Sequence, residues 1–113
     1  YEYLENQNYY VADIRKNMLD EIKKKNQNIN IIECDIQKKM NFIDSYFDRI
    51  NAIHVLEHLP KYNLAFSETY KILKKGGCLI GSTPFLYQIH SAPHDYFRYT
   101  KDFLNLNLKK NKF

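Results

Sequence analysis

The chain has 113 residues, 44% of them hydrophobic and 15% aromatic, with a formal net charge of +4. That apolar content is enough to bury a core, which excludes a disordered linker or tail. The length is short for an α/β domain closed on both faces, so a single partial domain over 1–113 is expected.

The longest stretch free of Asp, Glu, Lys and Arg, residues 76–94, holds Gln88, two histidines and two prolines, so no membrane span is expected. Tyr1 is not a methionine and no export signal accompanies it, which suggests processing or truncation at this end. Cys34 and Cys78 sit in apolar runs, and without an export signal they are expected as reduced thiols in a cytoplasmic setting. Lysine pairs and triplets such as Lys23 to Lys25 and Lys74-Lys75 are read as solvated helix ends and loops, with nucleic acid not expected as a partner.

Short apolar runs alternate with helical patterns along the chain, which is the signature of a parallel sheet with crossover helices. The first run, 9–12, is aromatic and β-branched and ends at Asp13. A helix over 17–25 places Met18, Leu19 and Ile22 on one face and is stopped by Asn26 to Asn28. A second strand, 29–34, is nearly continuous in apolar residues and ends at Asp35. The third, 49–53, ends at His54. Beyond Pro60 a helix over 62–73 aligns Ala65, Phe66, Thr69, Tyr70 and Leu73 in one stripe. Lys74-Lys75-Gly76-Gly77 is read as its C-terminal cap, and 78–81 as a fourth strand ending at Ser82-Thr83. Crossovers return each strand in parallel, so Asp13, Asp35, His54 and Ser82-Thr83 are expected at one ligand-binding edge.

The stretch FDRINAIHVLEHLPKYNLAFSETYKILKKGGCLIGSTPF closely resembles the fourth strand, following helix and fifth strand of class I S-adenosylmethionine-dependent methyltransferases. YYVADI and INIIECDI are similar to the second and third strands of that family, so the resemblance covers residues 9–100. It implies a Rossmann-like α/β fold with S-adenosylmethionine as cofactor. By the same resemblance Asp13 holds the ribose hydroxyls, Asp35 contacts the adenine amino group, and Ile36 and His54 line the cofactor. A carboxylate suits the first role because it accepts two hydrogen bonds from a cis-diol. A turn-forming or capping role is the structural alternative for either aspartate. PFLYQIHSAPHDYFRYT is similar to a loop of family members near sugar and polysaccharide biosynthesis, which implies a small-molecule or glycan-precursor acceptor.

The sulfonium already activates the methyl group, so the protein's main task is to align the acceptor. Where the acceptor must lose a proton, His54, His58, His90 and His94 are the available bases, with Asp95 and Tyr96 nearby; His58 and His94 are the catalytic candidates. The family's first strand, with its glycine-rich turn, has no counterpart here. The only glycines are Gly76, Gly77 and Gly81. That strand is central in the family's sheet, and the two final strands are missing as well, so the remaining strands face a gap and the isolated chain is expected to bind cofactor poorly. Sequence leaves the oligomeric state open.

Two readings from other classes stand beside this one. The first is a non-catalytic relic or binding module that retains the outline of the fold. The second is a metal-dependent hydrolase, because His54, Glu57 and His58 spell H-x-x-E-H; Pro60 leaves little helix to carry it. Glu57 and His58 also resemble the last two ligands of an E-x-x-E-H divalent-ion site in some O-methyltransferases. His54 replaces the first glutamate, exchanging oxygen for nitrogen, and no bound metal is expected.

Overall fold

The computed structural model describes residues 8–91 and 94–113. The chain divides into two compact units, Tyr1–Asp35 and Ile36–Phe113. The first contains β1 (Tyr10–Asp13), α1 (Lys16–Lys25) and β2 (Asn30–Glu33). The second contains β3 (Phe47–Ile53), a 3-10 turn at Leu56–His58, α2 (Tyr62–Ile72), β4 (Leu73–Ser82) and α3 (Lys101–Lys110).

In the first unit β1 and β2 run parallel, with Tyr10 opposite Asn30 and Asp13 opposite Glu33. A parallel return needs a crossover, and α1 supplies it. Leu19 anchors the helix at 1% exposure, whereas Met18 stays on the solvent margin at 36%. The helix stops at Asn26, whose N–H still donates to Ile22 O while its side chain accepts from Asn28 N at 3.0 Å. Lys23 Nζ donates to Gln27 O and Ile29 O, at 2.7 and 2.6 Å. Part of the lysine triplet, standing in the last turn where the helix dipole favours a cation, therefore ties the helix end to the carbonyls of the turn that follows.

The second unit repeats the plan with β3 and β4 parallel across α2. Ala65, Phe66, Thr69 and Ile72 form the buried stripe of α2, while Tyr70 remains 41% exposed. Here the structure corrects the sequence reading. Lys74 to Gly77 does not cap a helix that runs to Leu73; the helix stops at Ile72 and the strand begins at Leu73, opposite Phe47. A register shift between Phe47 and Arg49 takes up the irregularity, with Gly76 at φ +80°. At Gly77 a Cβ would lie 2.9 Å from the carbonyl oxygens of both Asp48 and Lys74, so two backbones close on this position.

Residues 101–110, assigned to no element by sequence, form α3. Thr100 caps it by accepting from Phe103 N at 3.2 Å, Asp102 sits in the first turn, and Lys109 and Lys110 in the last. The alternation in FLNLNL masks these signals. An aromatic cluster ties this end to α2: the Tyr62 ring lies 5.7 Å from Phe97, 6.0 Å from Tyr99 and 5.3 Å from Phe103, in edge-on geometry.

The fold class is α/β with parallel strands, as the sequence indicates. The strands pair two by two, as separate two-stranded sheets β1-β2 and β3-β4. Among the described residues no helix is long and apolar enough to cross a membrane. Both cysteines are free thiols, Cys34 half-buried and Cys78 exposed.

Replacing Gly77 with alanine is expected to lower the stability of the second unit by about 1–3 kcal/mol, because the added methyl meets backbone that cannot move aside. Chemical denaturation followed by tyrosine fluorescence measures it. An unchanged midpoint would show that the bulge relaxes freely.

Candidate functional site

Two groups of polar residues gather at strand ends, one in each unit. In the first unit Asp13 closes β1, and the Cys34 N–H donates to its carbonyl at 3.1 Å, bringing the end of β2 alongside. Asp35 follows directly. Burial pushes the Cys34 thiol up, and the charges of Asp35 and Asp13 push it further, so one thiol senses both carboxylates.

The Asp13 carboxylate already has a partner. Oδ1 accepts from the Arg15 backbone N–H at 2.8 Å and from Nε at 3.1 Å, while Oδ2 accepts from an Arg15 terminal nitrogen at 3.0 Å. The Arg15 guanidinium holds the carboxyl below its usual range. Both the turn-forming role and a charge-paired role are therefore present at this aspartate.

In the second unit β3 ends beside β4, with Ile53 opposite Ser82 and the His54 N–H donating to Ser82 O at 2.9 Å. His54 is exposed and takes φ +52°, a left-handed conformation that a side-chain-bearing residue seldom adopts. The chain then turns through Leu56–His58, a single 3-10 turn. Glu57 on this turn is wholly buried, and neither of its side-chain oxygens has a hydrogen-bond partner among the described residues.

The segment after β4 folds back onto this turn. Tyr96 N donates to Glu57 O at 2.8 Å and Tyr99 Oη to Leu56 O at 3.1 Å. His58 Nδ1 bonds the His94 carbonyl oxygen. Because a carbonyl only accepts, Nδ1 carries a proton. His58 Nε2 lies 3.7 Å and His90 Nε2 3.9 Å from Glu57 Oε1. His90 Nδ1 faces Asp95 Oδ2 at 3.2 Å, close enough for an ion pair but without the alignment of a hydrogen bond.

Asp95 is itself clamped. Both terminal nitrogens of Arg98 donate to its carboxylate, and His90 N donates to Oδ2 at 3.0 Å. These contacts, the Arg98 hydrogen bonds first, hold its carboxyl well below the ordinary carboxylate range. Arg98 also reaches Gln88 O at 3.2 Å, which fixes the loop that carries His90. Burial raises the Tyr99 phenol, which stays a neutral donor to Leu56.

The arrangement of parallel strands with acidic or polar residues at their carboxyl ends can be set against known proteins. A sequence model of the family described as "Methyltransferase domain" matches residues 1–81. The chain belongs to the methyltransferase domain family. It is 26% identical over 106 residues to a demethylmenaquinone methyltransferase of Oceanobacillus iheyensis, an alignment covering 88% of this chain and 44% of that protein. Its fold is similar to the crystal structure of a putative methyltransferase from Bacillus halodurans, with a TM-score of 0.81 at 17% identity, covering 93% of this chain and 52% of the other. It is also similar to the trans-methyltransferase CalH in complex with SAH, with a TM-score of 0.61 at 22% identity, over 66% of this chain and 22% of that one. The chain thus spans about half the length of the first two.

Within this methyltransferase-family chain, the residues singled out by sequence are divided between the two units. Asp13 and Asp35 share the strand-end edge of the first unit; Ile36 and His54 belong to the second. His58 and His94 meet, although through the backbone of His94, whose imidazole is exposed beside Tyr96. His54 is not part of the group formed by Glu57, His58 and His90, so the H-x-x-E-H spacing does not translate into one ligand set. Sequence named His90 among the candidate bases, with Asp95 nearby, and missed Arg98. The i,i+3 spacing of Asp95 and Arg98 was the available signal for that pair.

The Asp95 clamp has a measurable consequence. A depressed folded-state value means that its contribution to stability is present above about pH 3.9, the unfolded value, and is lost as pH falls through the lower folded one. Carboxyl-carbon NMR should show Asp95 still ionised at about pH 3. Arg98→Gln is expected to move its titration up toward the unfolded value; titration at the ordinary value in the unsubstituted chain would contradict the clamp.

Proposed function

We propose that this chain forms the ribose- and adenine-contacting part of an S-adenosylmethionine-dependent methyltransferase that acts on a small-molecule or sugar-linked acceptor. The observation that carries the proposal is the parallel β1-β2 pair with Asp13 and Asp35 at its carboxyl edge, in a chain of the methyltransferase domain family. Asp13 takes the ribose hydroxyls and Asp35 the adenine amine. S-adenosylmethionine, when bound, supplies an already activated methyl group. The work left to side chains is to hold the cofactor, align the acceptor and accept a proton where the acceptor has one to lose. His94, exposed on its loop, and His58 are the residues proposed for that last task.

Arg15 favours a second reading. It occupies both oxygens of Asp13, so a ribose must displace or share that partner, and a chain that no longer binds cofactor could retain the same pair as structure. The two readings separate on S-adenosylhomocysteine binding, measured by calorimetry. Asp13→Ala should weaken binding by about 1.5–3 kcal/mol, as expected for lost hydrogen bonds to a charged group. Arg15→Ala, which frees the carboxylate, should leave binding equal or tighter. Equal affinity in Asp13→Ala and the unsubstituted protein would sink the ribose assignment.

A further inference from the structure

We propose that Glu57, His58 and His90 form a binding site for a divalent transition cation of the zinc class. The proposal begins with Glu57, which is 0% exposed and has both oxygens unpartnered among the described residues. An ionised carboxylate in that condition costs several kcal/mol, and a protonated one would still leave a buried hydroxyl without an acceptor. A cation satisfies the group in a single step.

The neighbours are oriented for this. Glu57 Oε1 is approached by His58 Nε2 at 3.7 Å and His90 Nε2 at 3.9 Å, and one ligand atom from each of the three residues lies within 4.8 Å of the others. A tetrahedral zinc site with bonds of about 2.0–2.2 Å sets its ligand atoms about 3.3–3.5 Å apart. The two Glu57 edges are therefore a few tenths of an ångström longer than in a closed site, and the third, within 4.8 Å, must also shorten as the side chains turn onto a cation.

The outer contacts match those of a built site. His58 Nδ1 is hydrogen-bonded to the His94 carbonyl, and His90 Nδ1 lies 3.2 Å from Asp95 Oδ2 without the alignment of a hydrogen bond, so each ring turns its Nε2 toward Glu57 and only His58 has its far nitrogen already bonded. Acceptors on the far nitrogen fix the tautomer and raise the basicity of a ligating imidazole. Arg98 is engaged with Asp95 and holds that acceptor in place instead of neutralising Glu57 directly. Two imidazoles and one carboxylate favour zinc-like ions over magnesium, which prefers oxygen ligands. Three protein ligands leave the fourth position for water or an oxygen of an acceptor. This assignment makes His58 a ligand and leaves His94 as the base of the preceding section. It uses His90, not His54, as the third ligand.

The test uses the full chain and zinc alone, in competition with a chromogenic chelator, with cobalt substitution as a spectroscopic reporter. One equivalent of zinc should bind and raise the thermal midpoint. Glu57→Gln and His90→Ala should abolish that equivalent, Asp95→Asn should weaken it about 10–100-fold, and His54→Ala should leave it unchanged. If Glu57→Gln does not fold, His90→Ala and Asp95→Asn decide the matter by themselves. Equal zinc affinity in the unsubstituted chain and His90→Ala would overturn the proposal, as would loss on His54→Ala. The assay contains no S-adenosylhomocysteine, so its outcome is independent of cofactor binding.

Discussion

Parallel pairing forbids a tight hairpin, and most of this chain's organisation follows from that constraint. Each strand pair must have a helix between its strands: α1 separates β1 from β2, and α2 separates β3 from β4. The helix must then bury one face against its own pair. Leu19 does so in the first unit, and Ala65, Phe66 and Ile72 in the second. Because both strands of a pair point the same way, their polar ends arrive level. Asp13 and Glu33 stand opposite each other in one pair, Ile53 and Ser82 in the other. Polar residues distant in sequence are thereby brought to a common edge, where open α/β folds bind ligands.

The edge of the second unit is where local conformation departs from the ordinary. The chain leaves β3 through His54 in a left-handed conformation and turns at once into Leu56–His58, which drives Glu57 inward. A buried carboxylate with no donor is tolerated only when the surrounding contacts over-determine the turn. They do here: Tyr96 N and Tyr99 Oη bond the carbonyls of Glu57 and Leu56, and the Tyr62 ring packs against Phe97, Tyr99 and Phe103. The aromatic cluster thus fixes the loop bearing His90, Asp95 and Arg98 over the turn bearing Glu57 and His58. Packing of α2 and the geometry of the candidate cation site are the same set of contacts seen from two sides.

Asp13 is fixed both by a local contact and by long-range register. Asp13 accepts from the Arg15 backbone and pairs with its guanidinium, a local arrangement between residues two apart. Its position level with the end of β2 is set by the register of the pair. Local chemistry stabilises the turn; the register sets where the carboxylate stands along the edge.

Alternating apolar runs and helical stripes were sufficient to place β1, α1, β2, β3 and α2 from sequence, because side-chain periodicity of two or near four survives without tertiary context. The resemblance of 47–85 to a methyltransferase segment was legible for a similar reason, since order and spacing of short motifs are properties of the chain itself. The start of β4 was not legible. Lys74 to Gly77 has the composition of a helix cap, and only the register shift between Phe47 and Arg49 draws those residues into the sheet. α3 was hidden by the alternation in FLNLNL, which its cap at Thr100 and contacts to Tyr62 override. The pairing of Glu57 with His58 was legible as adjacent residues, but the arrival of His90 beside them was not, because 32 positions separate His58 from His90 in sequence and nothing in their spacing fixes a distance. Sequence determined which segments become strands and helices and which acids stand at strand ends. Only the tertiary structure decided which histidine meets the buried glutamate, because long-range aromatic packing and the Asp95–Arg98 clamp, not local propensity, set that encounter.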